Sequence, residues 1–198
     1  MKNQIIYNYK KSLSLILDYL QKEKNKNPIF IGIDGRAGSG KTTFANKIKT
    51  INPSISVISG DDFYEQIPSS LYKKHSFEYK YKVYFNQSYF IKNILSPISK
   101  SKEISYQKYN WEKKSFSECK IFSPTSVVIF EGVFMCSPEL INYFDLSIFL
   151  EANRDLCLDR LKDRDTPQQW MNDWQDTEDW YFENYKIKTF VDILVDVK

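Results

Sequence analysis

Histidine is almost absent: His75 is the only one in 198 residues, and it sits in a polar segment that reads as surface. The three cysteines, Cys119, Cys136 and Cys157, are odd in number and widely spaced. They offer neither a metal-ligand spacing nor a disulfide framework, and they suit a reducing cytosol. No apolar run approaches membrane-spanning length, so no membrane partner is expected. Asp18 interrupts the run SLSLILDYL and no small-residue cleavage site follows, so no signal peptide is expected and the cytoplasm is the expected location. Charge of one sign is missing as well. The 28 basic and 25 acidic residues leave a net +3 with no basic block, so nucleic acid is not an expected partner. Neither an internal repeat nor a low-complexity tract is visible, and the length fits one domain over 1–198.

Glycine and arginine are scarce too, and both cluster. Four of the six glycines lie at 32, 35, 38 and 40; the others, Gly60 and Gly132, stand beside Asp61-Asp62 and Glu131. Three of the four arginines are Arg154, Arg160 and Arg164, and the fourth is Arg36. In so lysine-biased a chain, grouped guanidinium points to anion clamping, with solvated helix charge as the alternative.

The first cluster falls in IFIGIDGRAGSGKTT. The apolar run Ile29–Ile33 predicts a buried strand, and Gly35-Arg36-Ala37-Gly38-Ser39-Gly40-Lys41-Thr42 then matches G-x-x-x-x-G-K-[ST]. The spacing has a chemical reason. Glycines let the backbone wrap a phosphate chain, and the loop amides and following helix N-terminus present donors to it. Lys41 would reach the β- and γ-phosphates, and the Thr42 hydroxyl would sit on Mg²⁺. Gly35 through Thr43 are therefore the candidate nucleotide-binding residues: Gly35, Arg36, Ala37, Gly38, Ser39, Gly40, Lys41, Thr42 and Thr43.

Leu13, Ile16, Leu17 and Leu20 recur at helical spacing within 9–23 and predict an amphipathic helix packed on the domain, ahead of a polar turn at 24–28. Strands are expected at 55–58, 127–130, 146–150 and 190–195, and a polar, aromatic hairpin within 101–123. Pro138 to Ile141 starts a short helix. Residues 154–164 and 167–187 read as helices with a break near Thr166-Pro167, and about 154–170 would form a lid. Apolar strands alternating with helices predict an α/β fold with a parallel sheet between helical layers. Active residues then gather at the carboxyl ends of the strands, where the phosphate loop, Asp61-Asp62 and Glu131 all fall.

Phosphoryl transfer to an alcohol needs a phosphate cradle, a metal, a base and positive charge at the transferred group. Asp61 or Asp62 can accept the hydroxyl proton; as a pair they could equally form a turn or helix cap. Glu131 ends an apolar strand and can hold Mg²⁺, so Thr42, Glu131 and Asp61 are the candidate metal ligands. Arg154, Arg160 and Arg164 can clamp phosphates from the lid, and Arg160 and Arg164 share a helix face. Tyr106, Tyr109 and Trp111 can stack on a flat acceptor or pack the hairpin. Trp170 and Trp174 are an i, i+4 pair expected to pack the helix after the lid onto the core.

Together IGIDGRAGSGKTT, SGDDFY, VVIFEGVF, R-x-x-x-R-D at Arg160 to Asp165 and W-x-x-x-E-x-x-Y at Trp174, Glu178 and Tyr181 resemble the uridine kinase-like branch of the P-loop kinases. That branch also holds phosphoribulokinase and bacterial pantothenate kinase, and the likeness runs from about residue 28 to the end. It implies a three-layer P-loop NTPase fold, with a five-stranded parallel sheet in the order 2-3-1-4-5, a small hairpin and a helical lid. It implies ATP as donor with Mg²⁺, and a small-molecule alcohol as acceptor, a nucleoside such as uridine first. The catalytic residues it implies are Asp61 as base, Lys41, and the lid arginines Arg160 and Arg164. Asp61, Phe63 and Tyr64, with Tyr109 and Trp111 of the hairpin, are the residues it puts beside the acceptor. One departure counts against a pyrimidine: where uridine kinases carry Y-D-F followed by a His, this chain has Tyr109-Asn110-Trp111 and no His. A kinase for a non-nucleoside alcohol is thus the first alternative, and a nucleotide-binding switch or regulatory ATPase without an acceptor the second.

Overall fold

Every residue from Ile29 to Gly35 is buried, as a strand covered on both faces must be. That strand lies inside the sheet of the computed structural model, which describes residues 5–64, 75–110, 115–164 and 170–198. The strands are β1 (Ile6–Asn8), β2 (Ile29–Gly35), β3 (Ile55–Ser59), β4 (Ile104–Asn110), β5 (Ser115–Phe122), β6 (Val127–Glu131), β7 (Leu146–Glu151) and β8 (Ile193–Asp196). The helices are α1 (Tyr9–Lys22), α2 (Lys41–Ile51), α3 (Phe77–Tyr84), α4 (Gln87–Phe90), α5 (Ser96–Ile98), α6 (Arg154–Arg164) and α7 (Trp170–Tyr185).

One sheet runs in the order β1-β8-β7-β2-β6-β3, and all its pairs are parallel. Counting β2, β3, β6, β7 and β8 as strands one to five gives the expected order 2-3-1-4-5. The sixth strand corrects the expected count. Ile6 to Asn8 pair with Leu194 to Asp196 at the sheet edge, ahead of the expected N-terminal helix. Three residues are too few to show an alternating or apolar pattern, so β1 has no sequence signature of its own. The last strand also begins later than expected, at Ile193. Asp192 turns its carboxylate back to accept from the backbone N–H (2.8 Å) and hydroxyl (2.6 Å) of Ser147, which pins the strand's entry. Instead of a helix starting at Pro138, turns lead to a single 3₁₀ turn at Ile141–Tyr143.

The faces of the sheet are filled by alternation along β2. Ile29, Ile31 and Ile33 point to one side, where Phe44 and Ile48 of α2 and Ile16 and Leu20 of α1 complete a core. Asn8 caps α1, its side chain accepting from the Lys11 N–H at 2.9 Å. Phe30 points to the other side, into an aromatic core with Phe90, Phe130, Phe134, Tyr81 and Tyr181. Gly32 faces that side as well, and a Cβ there would lie 2.5 Å from the Phe144 ring, so only glycine admits the ring. The expected hairpin is β4 paired antiparallel with β5, Ile104 opposite Phe122. The lateral register puts Ser59 opposite Glu131 and Glu131 opposite Ile33, so the carboxyl ends of three neighbouring strands arrive level with one another. None of the described helices is long and apolar enough to cross a membrane.

Candidate active site

Three consecutive structural decisions build the phosphate loop. Asp34, fully buried at the end of β2, accepts from the Gly35 N–H (2.6 Å), the Cys136 N–H (2.8 Å) and the Tyr181 hydroxyl (2.7 Å). It thereby ties the loop's first residue to the segment after β6 and to α7. Burial pushes its carboxyl up to about 6, against the three hydrogen bonds and Lys41, which pull it down. Gly38 then takes φ +82° beneath α6, where a Cβ would come 2.5 Å from the Cys157 carbonyl oxygen. Gly40, at φ +91°, turns the chain into α2. Lys41 begins that helix; its Nζ donates to the carbonyls of Gly35 (2.8 Å) and Arg36 (2.9 Å), which holds the ammonium inside the loop.

Below the loop, Glu131 is almost fully buried and accepts on one oxygen from Thr42 Oγ1 (3.1 Å) and Ser59 Oγ (2.8 Å). Burial raises its pKa and nearby Asp61 adds to the rise, while Lys41 opposes both. Thr42 thus meets Glu131 below the loop, and Asp61 is near enough for its charge to act on Glu131. Among the described residues there is no cluster of three or more His, Cys, Asp or Glu that could enclose a metal. A hydroxyl and one or two carboxylates are the hard oxygen set with which Mg²⁺ makes do when waters and phosphates supply the rest, so the residues fit Mg²⁺ carried in with a nucleotide. The loop fits a phosphate equally well: Ser39 Oγ is buried inside it with no hydrogen-bond partner among the described residues.

The acceptor side begins at the 3₁₀ turn Gly60–Phe63 that follows β3. Its two aspartates part company. Asp62 is ion-paired to Lys108 of β4 at 2.9 Å and is hydrogen-bonded to the Tyr106 hydroxyl, whose pKa burial pushes up to about 12. Asp61 is exposed, beside Glu131. Asp62 thus fastens the hairpin to the turn, and Asp61 is the more exposed of the two. Phe63 packs between Phe90 (5.2 Å) and Tyr106 (5.0 Å) and stays partly exposed. Tyr64 corrects an expectation. Its ring lies in the core against Phe85 and Trp174 and its hydroxyl donates to the Val133 carbonyl at 2.9 Å, so it supports the site from beneath rather than facing an acceptor. Tyr109 is on β4 opposite Phe116, with its side chain outside the described set, and Trp111 lies outside the described residues. Tyr106 belongs to the packing reading, since it is buried. His75 stacks on Tyr79 with ring centroids 4.2 Å apart.

The arginines divide in the same way. Arg160 donates to the Gly38 carbonyl at 3.3 Å and to the Lys198 carbonyl at 3.4 Å, which lays α6 across the phosphate loop. Arg164 is the last residue of α6, and its side chain lies outside the described set. Arg154 is not available to phosphates: it donates to Gln175 (3.1 Å), Asp176 (2.6 Å) and Asp179, all on α7. Arg36 likewise turns to α7, pairing with Glu178 at 3.4 Å and with Asp179 while its guanidinium lies over the Phe182 ring.

The sequence pattern gives Asp34 no role, and Glu178 appears there only within W-x-x-x-E-x-x-Y. Glu178 is fully buried and accepts from the Ala37 N–H (2.9 Å) and Trp174 Nε1 (2.6 Å). A signal existed: Trp174, Glu178 and Tyr181 at i, i+4 and i+7 form one stripe of α7, and an acid within a core-facing aromatic stripe needs a partner.

A phosphate loop on β2, a buried carboxylate at the end of β6 and an exposed aspartate after β3 define a P-loop phosphotransferase. The model of the Phosphoribulokinase / Uridine kinase family matches residues 30–193. A uridine kinase of Ureaplasma parvum serovar 3 is 36% identical over 152 residues, covering 73% of this chain and 72% of that protein. A uridine kinase of Limosilactobacillus reuteri is 28% identical over 148 residues, covering 72% of this chain and 67% of its own length. The fold is also that of a possible uridine kinase from Bacillus stearothermophilus, at a TM-score of 0.75 and 19% identity over 94% of this chain and 98% of that one. The chain belongs to the phosphoribulokinase/uridine kinase family, whose members are kinases.

Proposed function

We propose that this chain transfers the γ-phosphate of ATP, with Mg²⁺, to an alcohol group of a small molecule, and that a nucleoside such as uridine is the first acceptor to try. The observation that carries the reading is the place of Asp61, exposed after β3 and beside the buried Glu131. A kinase needs a carboxylate at the mouth of the phosphate loop to take the acceptor's proton, whereas a switch needs no such base. Asp61 takes that role from its exposed place beside Glu131, and Asp62 holds the hairpin through Lys108 and Tyr106. In the reaction the acceptor oxygen forms a bond to the γ-phosphorus, the bond to the ADP oxygen breaks, and the proton passes to Asp61. Bound Mg²⁺ supplies positive charge on the phosphate oxygens, with Thr42, Glu131 and Asp61 as the residues to hold it. Lys41 and Arg160 meet the charge that develops on the transferred group. Gly35 to Thr43 cradle the phosphates, the segment 154–170 works as the lid, and the 101–123 hairpin lines the acceptor side. Three free cysteines, two of them buried, agree with work in the cytoplasm.

The relatives' name supports a nucleoside. A second reading, a non-nucleoside alcohol, is favoured by one observation: Tyr109-Asn110-Trp111 stands where uridine kinases carry Y-D-F, and no His follows. The assignment within the aspartate pair is tested by γ-phosphate transfer from labelled ATP in Asp61→Asn and Asp62→Asn. Asp61→Asn is expected to lose roughly 10²-fold or more in kcat, the scale of a general base, with ATP binding retained. An Asp61→Asn protein that keeps wild-type kcat while Asp62→Asn is crippled would reverse the assignment.

A further inference from the structure

A carboxylate is an unexpected neighbour for a loop that binds phosphate, because its charge opposes the ligand's. Glu178 is nevertheless fully buried against the phosphate loop, and each of its contacts reaches either the loop or its own helix. One oxygen accepts from the Ala37 N–H at 2.9 Å and from Trp174 Nε1 at 2.6 Å; the other pairs with Arg36 at 3.4 Å. Ala37 lies between Gly35 (φ +145°) and Gly38 (φ +82°), in the stretch with the most backbone freedom to lose. Asp179, the next residue, bridges Arg36 of the loop to Arg154 at the start of α6.

We propose that Glu178 is a positioning residue of the donor site, which holds the first half of the phosphate loop in its binding shape through the Ala37 amide and the Arg36 guanidinium. The proposal rests on the reading of this loop as the nucleotide site. Arg36 offsets the carboxylate's charge, so the loop keeps its attraction for phosphate. Burial pushes the Glu178 carboxyl up to about 7, which further limits the charge it presents. The Ala37 amide is taken up by Glu178 and the Ser39 amide by the Arg36 carbonyl at 3.0 Å, so the amides of Gly40 and Lys41, where α2 begins, are the ones offered to the ligand. A loop held in shape before the ligand arrives loses less conformational freedom on binding, so the hold appears as affinity rather than as a faster chemical step. Arg36, by the same geometry, is a tether and not a phosphate ligand.

The experiment is calorimetric titration of the full chain with ADP, on wild type, Glu178→Gln and Glu178→Ala, beside thermal unfolding without ligand. Glutamine keeps an oxygen for the Ala37 N–H and Trp174 but sets an amide against Arg36. Alanine releases all three contacts. ADP affinity is expected to fall at least threefold in Glu178→Gln and at least tenfold in Glu178→Ala, measured well below each protein's unfolding temperature. The effect on the KM for ATP should exceed that on kcat. Should Glu178→Ala not fold, Glu178→Gln decides, together with hydrogen exchange of the Ala37 amide, which should speed up in that variant. Folded variants that bind ADP within twofold of wild type, with Ala37 protected as before, would overturn the proposal. Wild-type protein that binds no ADP at all would instead remove the nucleotide-site reading on which it stands.

Discussion

Replacing Asp34 by alanine should produce a stability loss whose size depends on pH in a predictable direction. The side chain accepts from Gly35 N–H, Cys136 N–H and the Tyr181 hydroxyl in a fully buried setting. Leaving one buried donor unsatisfied costs about 1–3 kcal/mol, so three would cost about 3–6 kcal/mol once a water admitted to the vacated space recovers part of the loss. Opposing this, alanine removes the desolvation that raises Asp34 from 3.8 to about 6. A carboxyl whose folded pKa lies above its unfolded one stabilises the fold most below the unfolded value, and the gain is lost as pH rises through the folded value. At pH 5, one unit below the folded value of about 6, that gain is about 1 kcal/mol, and at pH 8 it has gone. The destabilisation caused by Asp34→Ala should therefore be larger at pH 5 than at pH 8, by about 1 kcal/mol. Glu178, also raised, titrates in both proteins and cancels in the difference. Denaturant unfolding followed by tryptophan fluorescence at the two pH values reads it directly. A destabilisation that is the same at pH 5 and pH 8 would refute the reasoning, because it would mean that the three donors hold Asp34 ionised across the range.

Lys41→Ala should abolish phosphoryl transfer in a protein that still unfolds cooperatively, since the ammonium serves the loop and its ligand rather than the core; full turnover in the folded variant would remove the donor-site assignment. Gly38→Ala should weaken ADP binding at least tenfold, because φ +82° and a Cβ 2.5 Å from the Cys157 carbonyl force the loop and α6 apart; unchanged affinity by titration would contradict that packing. Arg160→Lys should keep ATP affinity but lose roughly tenfold in kcat, about 1.4 kcal/mol of transition-state stabilisation, because lysine lacks the planar fork. Steady-state kinetics matching wild type would make Arg160 a packing residue of α6.

Much of this molecule is legible from sequence because its central strands are short apolar runs ending in glycine and acid. Ile29–Ile33 and Val127–Phe130 could only be buried strands once helices flanked them, and the carboxyl-end rule then brought Thr42 and Glu131 together, as the 3.1 Å contact shows. What could not be read is what depends on long-range contact. β1 exists only because β8 offers an edge to three residues of no marked pattern. Asp61 and Asp62 are told apart in sequence only by the family resemblance; what Asp62 does instead depends on Lys108 and Tyr106, more than forty positions away on the hairpin. Tyr64 follows an exposed motif yet turns inward, because the aromatic core beneath it has Phe85 and Trp174 to receive its ring and a Val133 carbonyl for its hydroxyl. Glu178 carries a local signal, an acid within an aromatic stripe, but its partner at Ala37 is 141 positions away.

The proposed function requires that the site pass phosphate to an acceptor rather than simply hydrolyse ATP. Its most direct test is ADP release from Mg²⁺-ATP, measured with no addition and with a panel of uridine, cytidine, pantothenate and small sugar alcohols. The account predicts negligible release alone and rapid release, lost in Asp61→Asn, with at least one member of the panel. Steady ADP release that no acceptor accelerates, and that Asp61→Asn leaves untouched, would contradict it.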